Sequence, residues 1–249
     1  MKEVIAIVSR KGGSGKTTTA WALGGELLRR GKKVLFVDLD AQCNLSKAMG
    51  ADLTRPNVTD FFDDADAAEV VQHTPNGDIM AGSPFLDAAD LILKNNNELK
   101  RALNRSGLNR DYIILDLPAS PGRLTLNALT AATSAIITAK AEPFSYDGID
   151  KLIETIGKIQ AVNNDAPIIR GIILTAYEGR SKNDKMFFND FVKKANEAGT
   201  KLMLPPIRAT SKVREAQFNQ VHLVNYAPRS TAALDYKEIV DQIVKWRKR

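Results

Sequence analysis

One stretch, "EVIAIVSRKGGSGKTTTAWALGGELLRR", constrains the fold more than any other part of the chain. A β-branched apolar run predicts a buried strand. A glycine-rich turn follows at once, and a Lys-Thr pair opens an amphipathic helix with Ala20, Leu23, Leu27 and Leu28 on one face and Gly31 as its stop. Strand, glycine turn, Lys-Thr and helix in that order make a phosphate-binding loop. Gly12, Gly13 and Gly15 carry no Cβ, so successive backbone N–H groups of the turn, Ser14 included, can converge on phosphate oxygens at the positive end of the helix. Lys16 would then reach the β- and γ-phosphates and the Thr17 hydroxyl would ligate Mg²⁺, with the Thr18 N–H on the α-phosphate. A merely flexible turn would explain the glycines but not the order.

Beyond the loop, short β-branched runs alternate with longer amphipathic stretches, the pattern of parallel strands joined by helices. "KKVLFVDLD", "DYIILDLP", "SAIITAK", "PIIRGIILTAY" and "KLMLPPI" predict strands; "DGIDKLIETIGKIQAV" and "NDKMFFNDFVKKANEAG" predict helices. A last helix over "STAALDYKEIVDQIVKW" would place Leu234, Ile239, Ile243 and Trp246 near one side. Residues 52–110 are least regular, with small helices around a short strand near "DIMAGS". No repeat and no Pro- or Gly-rich linker interrupts the pattern, so one α/β domain over residues 1–249 is expected.

A lone cysteine, Cys43, excludes a disulfide framework and any cluster built on several thiolates, which makes a cytoplasmic location the expectation. The opening apolar run is too short for a secretory leader, and no run of about eighteen apolar residues is present to span a bilayer. The net charge of +6 is compatible with nucleic acid, an anionic membrane surface, or neither.

A phosphate loop needs carboxylates to hold the metal's waters and orient the attacking one. "LFVDLD" puts Asp38 and Asp40 on one side of an extended chain, and "YIILD" ends a second apolar strand in Asp116. Ligands of open α/β sheets gather beyond the carboxyl ends of the strands, so the three acids should converge on the loop.

With these residues in view, "KGGSGKTT", "VLFVDLDAQCNLS", "YIILDLPAS", "AEPFSYDGIDKL", "GIILTAYEGRS", "VREAQF" and "NYAPRSTAALDYKEIV" together resemble the deviant Walker A ATPases of the ParA/MinD group, and most of all the ParA partition proteins. The resemblance implies a three-layer P-loop NTPase fold, a mostly parallel twisted sheet with helices on both faces. It implies ATP and Mg²⁺ as cofactors and slow, partner-stimulated hydrolysis. It also implies an ATP-dependent homodimer in which Lys11, ahead of the glycines, reaches the phosphates held by the other subunit. By the same resemblance Lys11, Lys16 and Asp40 are catalytic, Thr17, Asp38 and Asp116 serve the metal, and the adenine lies near Tyr177 and Pro228. Ala41 and Cys43 stand where the family usually has Pro and Gly; Ala41 leaves the switch backbone looser, and Cys43 is expected to be a small buried side chain.

The first strand begins by residue 3, which matches the short form of ParA without an N-terminal helix-turn-helix. The resemblance then implies non-specific DNA binding, association with the nucleoid and a ParB-like centromere-binding adaptor. Arg208, Lys212 and Arg214 are the candidate DNA contacts; Lys193, Lys194, Lys245, Arg247, Lys248 and Arg249 are weaker ones. Two rivals stand beside this reading. A MinD-like membrane-associated ATPase would use the basic end "EIVDQIVKWRKR" on a bilayer, although the apolar positions there continue a helix of the fold, so no membrane partner is expected. A metabolic P-loop enzyme would leave Lys11 without a use.

Overall fold

The computed structural model describes residues 3–142, 145–162, 167–179 and 182–246. Seven strands form one sheet: β1 (Glu3–Val8), β2 (Val34–Asp38), β3 (Val71–Thr74), β4 (Gly77–Met80), β5 (Tyr112–Asp116), β6 (Ser134–Lys140) and β7 (Ile168–Thr175). Their order is β3-β4-β2-β5-β1-β6-β7, parallel throughout except for β3 on β4. The first half of the helices comprises α1 (Lys16–Arg29), α2 (Asn44–Met49), α3 (Val58–Phe62), α4 (Ala67–Val70), α5 (Ala89–Ile92) and α6 (Glu98–Arg105). The second comprises α7 (Arg123–Ala131), α8 (Ser145–Val162), α9 (Lys182–Glu197), α10 (Lys212–Phe218), α11 (Leu223–Tyr226) and α12 (Thr231–Lys245).

A parallel sheet must be covered on both faces. Side chains alternate along β1, so Ile5 and Ile7 enter one core while Val4, Ala6 and Val8 enter another. The first core is closed by α1, α2, α10, α11 and α12, the second by α3 to α9. The result is the expected three-layer α/β architecture. In α1, Ala20, Trp21, Leu23 and Leu27 are fully enclosed and Leu28 is half-buried. Gly31 ends the helix in the left-handed conformation (φ 73°), its N–H donating to the Leu28 carbonyl at 2.8 Å.

Two expectations are corrected and a third is borne out with an addition. "KLMLPPI" forms no strand, because Pro205 and Pro206 have no N–H to give a ladder. Its backbone instead meets β7 at separate points, among them Met203 N–H on the Ile172 carbonyl (2.8 Å) and Ile207 N–H on the Leu174 carbonyl (2.8 Å). The short strand near "DIMAGS" is β4, and its antiparallel partner β3, "VQHT", lacks an apolar alternation that would have announced it. In α12 the buried face is Tyr236, Ile239, Val240 and Ile243, whereas Leu234 is 44% exposed. Trp246 lies just past the helix, its ring 4.3 Å from the guanidinium of buried Arg170, which also donates to the Ile243 carbonyl.

Helix α1 can approach the sheet only because Gly24 has no side chain: a Cβ there would sit 2.1 Å from Phe36 Cε1. Gly157, exposed on α8, has nothing within 4 Å of that position. Denaturant unfolding should therefore separate two identical substitutions by sign. Gly157→Ala gains about 0.5–1 kcal/mol from helix propensity. Gly24→Ala loses about 1–3 kcal/mol to overpacking despite the same propensity gain.

Candidate functional site

The glycine-rich turn lies at the carboxyl end of β1, between the ends of β5 and β6. Gly15 caps α1 at φ 84°, and a Cβ there would lie 3.0 Å from Thr175 Cγ2, so both its conformation and its neighbour require glycine. The turn is tied down rather than loose. The Thr175 hydroxyl donates to the Ser14 carbonyl (2.8 Å), and the buried Ser14 and Thr138 hydroxyls are 3.2 Å apart. No side chain caps α1 and no acid stands in its first turn, which leaves its N–H groups directed at a cavity of about 710 Å³. Gly12, Gly13, Gly15, Lys16, Thr17 and Thr18 line that cavity, with Asp40 opposite and residues 118–125 as a further wall.

The register of the sheet places Asp38 and Asp116 side by side at the ends of β2 and β5. Both are wholly buried. Asp38 accepts from Ser46 N–H (2.8 Å), from the Ser46 hydroxyl (2.7 Å) and from Asp40 N–H (3.2 Å). Burial still pushes its pKa up to about 6, against the pull of those hydrogen bonds. Asp116 is more exposed to penalty than to solvent: neither oxygen has a hydrogen-bond partner of good geometry. Burial, and then the charge of Asp38, raise its pKa well above the ordinary carboxylate value, while Thr17 and Lys16 pull the other way. Lys16 is itself 7% exposed; burial lowers its pKa, and Asp116 and Asp40 oppose that shift.

Two adjoining buried carboxylates, one of them without partners, beside the Thr17 hydroxyl form a hard-oxygen donor set that suits Mg²⁺. These residues therefore fit the metal that the sequence pattern implies.

From Asp40 the switch loop folds into a turn: Asp40 accepts from Gln42 N–H (3.0 Å), and Cys43 N–H donates to the Asp40 carbonyl (2.9 Å). Cys43 is buried, as expected, but adopts a left-handed φ of 52°, which costs a non-glycine residue about 1 kcal/mol. That conformation is the physical reason glycine suits the position. Burial lifts the Cys43 thiol to about 11, so it stays protonated at neutral pH.

Lys11 does not line the 710 Å³ cavity. It faces a separate cavity of about 240 Å³ with Arg10, Lys140 and Lys151, and its amine lies 2.7 Å from Glu142 on its own chain. The pair is about half exposed. Lys11 and Lys16, five residues apart, thus serve different spaces.

The base of ATP would extend into a further cavity. It measures about 610 Å³, adjoins the phosphate turn and is walled by Thr175, Ala176, residues 207–211, Val213, Arg214 and Tyr236. Tyr177 and Pro228 are not among its walls, but Tyr177 is hydrogen-bonded through its backbone to Ile207 and Ala209, which are. The Tyr177 ring turns toward Phe188, at 5.9 Å between centroids, and Pro228 is exposed ahead of α12. Of the basic candidates, Arg208 is engaged by the buried Asp235 (2.6 Å), Lys212 pairs with Glu215 (2.6 Å), and Arg214 is exposed on α10. Lys193 and Lys194 lie on α9, across the sheet from α10; Lys245 ends α12, on the α10 side. Arg247, Lys248 and Arg249 lie outside the described residues.

Sequence reasoning missed Ser46, Thr175, Glu142 and the wall at 207–211. Ser46, Thr175 and Glu142 all stand inside motifs quoted above, but a motif does not show which neighbour each side chain meets. Since Asp116 is buried beside Asp38 without partners, Asp116→Asn should raise the metal-free melting midpoint by about 4 °C, the shift that ~1–2 kcal/mol gives a chain of this size. The same variant should lose Mg²⁺-supported ATP hydrolysis. Calorimetry in EDTA, paired with a phosphate-release assay, measures both.

Comparison with known proteins agrees with this geometry. An AAA-domain family model (AAA_31) matches residues 2–168. The chain is 32% identical to the sporulation initiation inhibitor protein Soj of Bacillus subtilis, over 98% of each chain. It is also 32% identical to the chromosome-partitioning ATPase Soj of Treponema pallidum, again over 98% of each. The structure superposes with a TM-score of 0.84 on cobyrinic acid a,c-diamide synthase from Mycobacterium smegmatis with bound ADP and magnesium, at 28% identity over 98% of this chain and 95% of that one. The chain belongs to the ParA/MinD group of P-loop ATPases, with ATP and Mg²⁺ as its cofactors.

Proposed function

We propose that the chain is a nucleotide-gated ATPase that partitions or positions a cargo. In this reading, residues 1–249 act as one ATPase domain. Two copies close on two ATP molecules, hold DNA non-specifically while closed, and part on hydrolysis. The observation that carries the reading is the separation of the two lysines: Lys16 buried inside the phosphate cavity, Lys11 outside it and half exposed. A lysine in that place has no phosphate to meet on its own chain, and a facing copy supplies one. The Soj relatives support the partition half of the proposal.

Hydrolysis then follows from the residues. Asp40 orients a water whose oxygen bonds to the terminal phosphorus as the bond to the ADP oxygen breaks; the water's proton leaves with inorganic phosphate. Lys16 and the partner subunit's Lys11 offset the charge that grows on the transferred group. Thr17, with Asp38 and Asp116 through the metal's water shell, would hold Mg²⁺, which would supply further charge neutralisation when bound. Asp40 is a water-orienting acceptor more than a strong base, which suits a slow reaction quickened by a ParB-like adaptor.

For DNA the α10 side is favoured. The Lys212–Glu215 pair is exposed and screened by water, so a DNA phosphate can displace the carboxylate. Arg208 instead braces the fold through Asp235. A membrane role for the chain's end is disfavoured, because Trp246 is stacked on Arg170 and the apolar face of α12 is spent on the core. No described helix is long and apolar enough to cross a membrane. An enzyme acting on a small metabolite is a second reading, supported by the name of the Mycobacterium smegmatis structure. ATP hydrolysis to free phosphate with no metabolite present would contradict it.

Lys11→Ala should keep ATP binding yet lose ATP-dependent dimerisation in light scattering, with hydrolysis down at least about a hundredfold. Asp40→Ala should instead trap the ATP-bound dimer. Combined Lys212→Glu and Arg214→Glu should weaken DNA binding at least about tenfold and reduce its log–log salt slope by about 2. Unaltered DNA affinity would move the interface elsewhere; because Arg214 also walls the 610 Å³ cavity, Lys212→Glu alone is the variant expected to leave hydrolysis without DNA unaffected.

A further inference from the structure

Helix α10 touches the nucleotide site at more than its basic residues. Val213 and Arg214 line the 610 Å³ cavity beside Gly13, Gly15 and Thr18. One turn on, the Gln217 amide donates to the Thr18 hydroxyl at 3.3 Å. Just past the helix, the Gln220 amide donates to the Lys47 carbonyl of α2 (2.9 Å), and the Gln220 carbonyl accepts from Asn76 (2.8 Å). The segment therefore lies against the base cavity, the start of α1, and the helix that follows the switch loop.

Thr18 opens onto both the phosphate cavity and the base cavity. Its hydroxyl has one proton and two lone pairs. A helical threonine ordinarily turns that proton back to the carbonyl four residues earlier. Here that carbonyl belongs to Ser14, ahead of the helix; it accepts the Thr175 hydroxyl at 2.8 Å, and among the described residues the Thr18 hydroxyl makes no bond to it. With Gln217 donating to one lone pair of Thr18, the proton is left to point into the cavity.

We propose that Gln217 is a positioning residue for nucleotide binding: its amide fixes the Thr18 hydroxyl as a donor to the innermost phosphate, and so joins α10 to the occupied site. This rests on the reading of the cavity as an ATP site. The innermost phosphate is common to ATP and ADP, so the contact contributes equally to both. It is also made alike in the ground state and the transition state, so it acts on KM rather than on kcat.

The experiment titrates wild type, Gln217→Leu, Gln220→Leu, Thr18→Val and the Gln217→Leu/Thr18→Val double variant with fluorescent ATP and ADP, and measures KM and kcat for ATP. Gln217→Leu should weaken both nucleotides about fivefold, the net contribution of one hydrogen bond. KM should rise by the same factor while kcat moves less than twofold. The effect should vanish in the Thr18→Val background, and Gln220→Leu should leave nucleotide affinity alone. Wild-type affinity in Gln217→Leu overturns the proposal, as does a loss confined to ATP. So does an equal loss in Gln220→Leu, which would make α10 only a brace. Failure of the wild-type protein to bind either nucleotide overturns the ATP-site reading itself, and the proposal with it.

Discussion

Asp38 and Asp116 stand abreast at the ends of neighbouring parallel strands, wholly out of water, and one of them has no hydrogen-bond partner. A fold does not keep such a pair for stability, because burying an ionised group without compensation costs several kcal/mol. Both pKa values are raised for this reason. The arrangement becomes reasonable once a divalent cation and a lysine share the space, and Lys16 is already there, its pKa lowered by burial against the pull of Asp116 and Asp40. Around that core of opposed charges the other parts take their places. The phosphate turn is anchored to β6 and β7 through Thr138 and Thr175, and the switch loop is anchored to Asp38 through the Asp40 backbone.

Against this buried chemistry Lys11 is conspicuous for being outside. Its present partner, Glu142, makes an exposed ion pair of the kind worth little in water, so a better anion can take the amine away. A terminal phosphate carried on a facing copy is such an anion. In the proposed dimer that exchange would join nucleotide state to assembly without a separate sensor, and would give Lys11 a use that a monomeric ATPase lacks.

The local parts of this account were legible in the residues. The order of strand, glycine turn, Lys-Thr and helix names the loop, and strand-ending acids name the metal side, because in a parallel sheet every carboxyl end lies on one edge. The cores of α1 and α12 followed largely from helical period, with Leu234 the exception because it faces away from the side of α12 that carries Ala232, Ala233, Tyr236 and Ile239. What depends on distant segments was not legible. Thr175 reaches the turn from 161 residues away, and the base cavity is walled by residues 207–211, a run that two prolines keep out of the sheet. The bases of these misses are the same: no short window contains both partners, so no spacing rule announces the contact.

A complementation assay tests the central claim, that each Lys11 serves the phosphates of the opposite subunit. Lys11→Ala and Lys16→Ala proteins are each purified inactive and then mixed. In a mixed dimer one site joins the Lys16 of the first protein to the Lys11 of the second, so the account predicts that hydrolysis returns on mixing. If Lys11 acts on its own chain, every site in the mixture lacks one lysine; activity that stays absent, with mixed dimers demonstrably formed, would contradict the account.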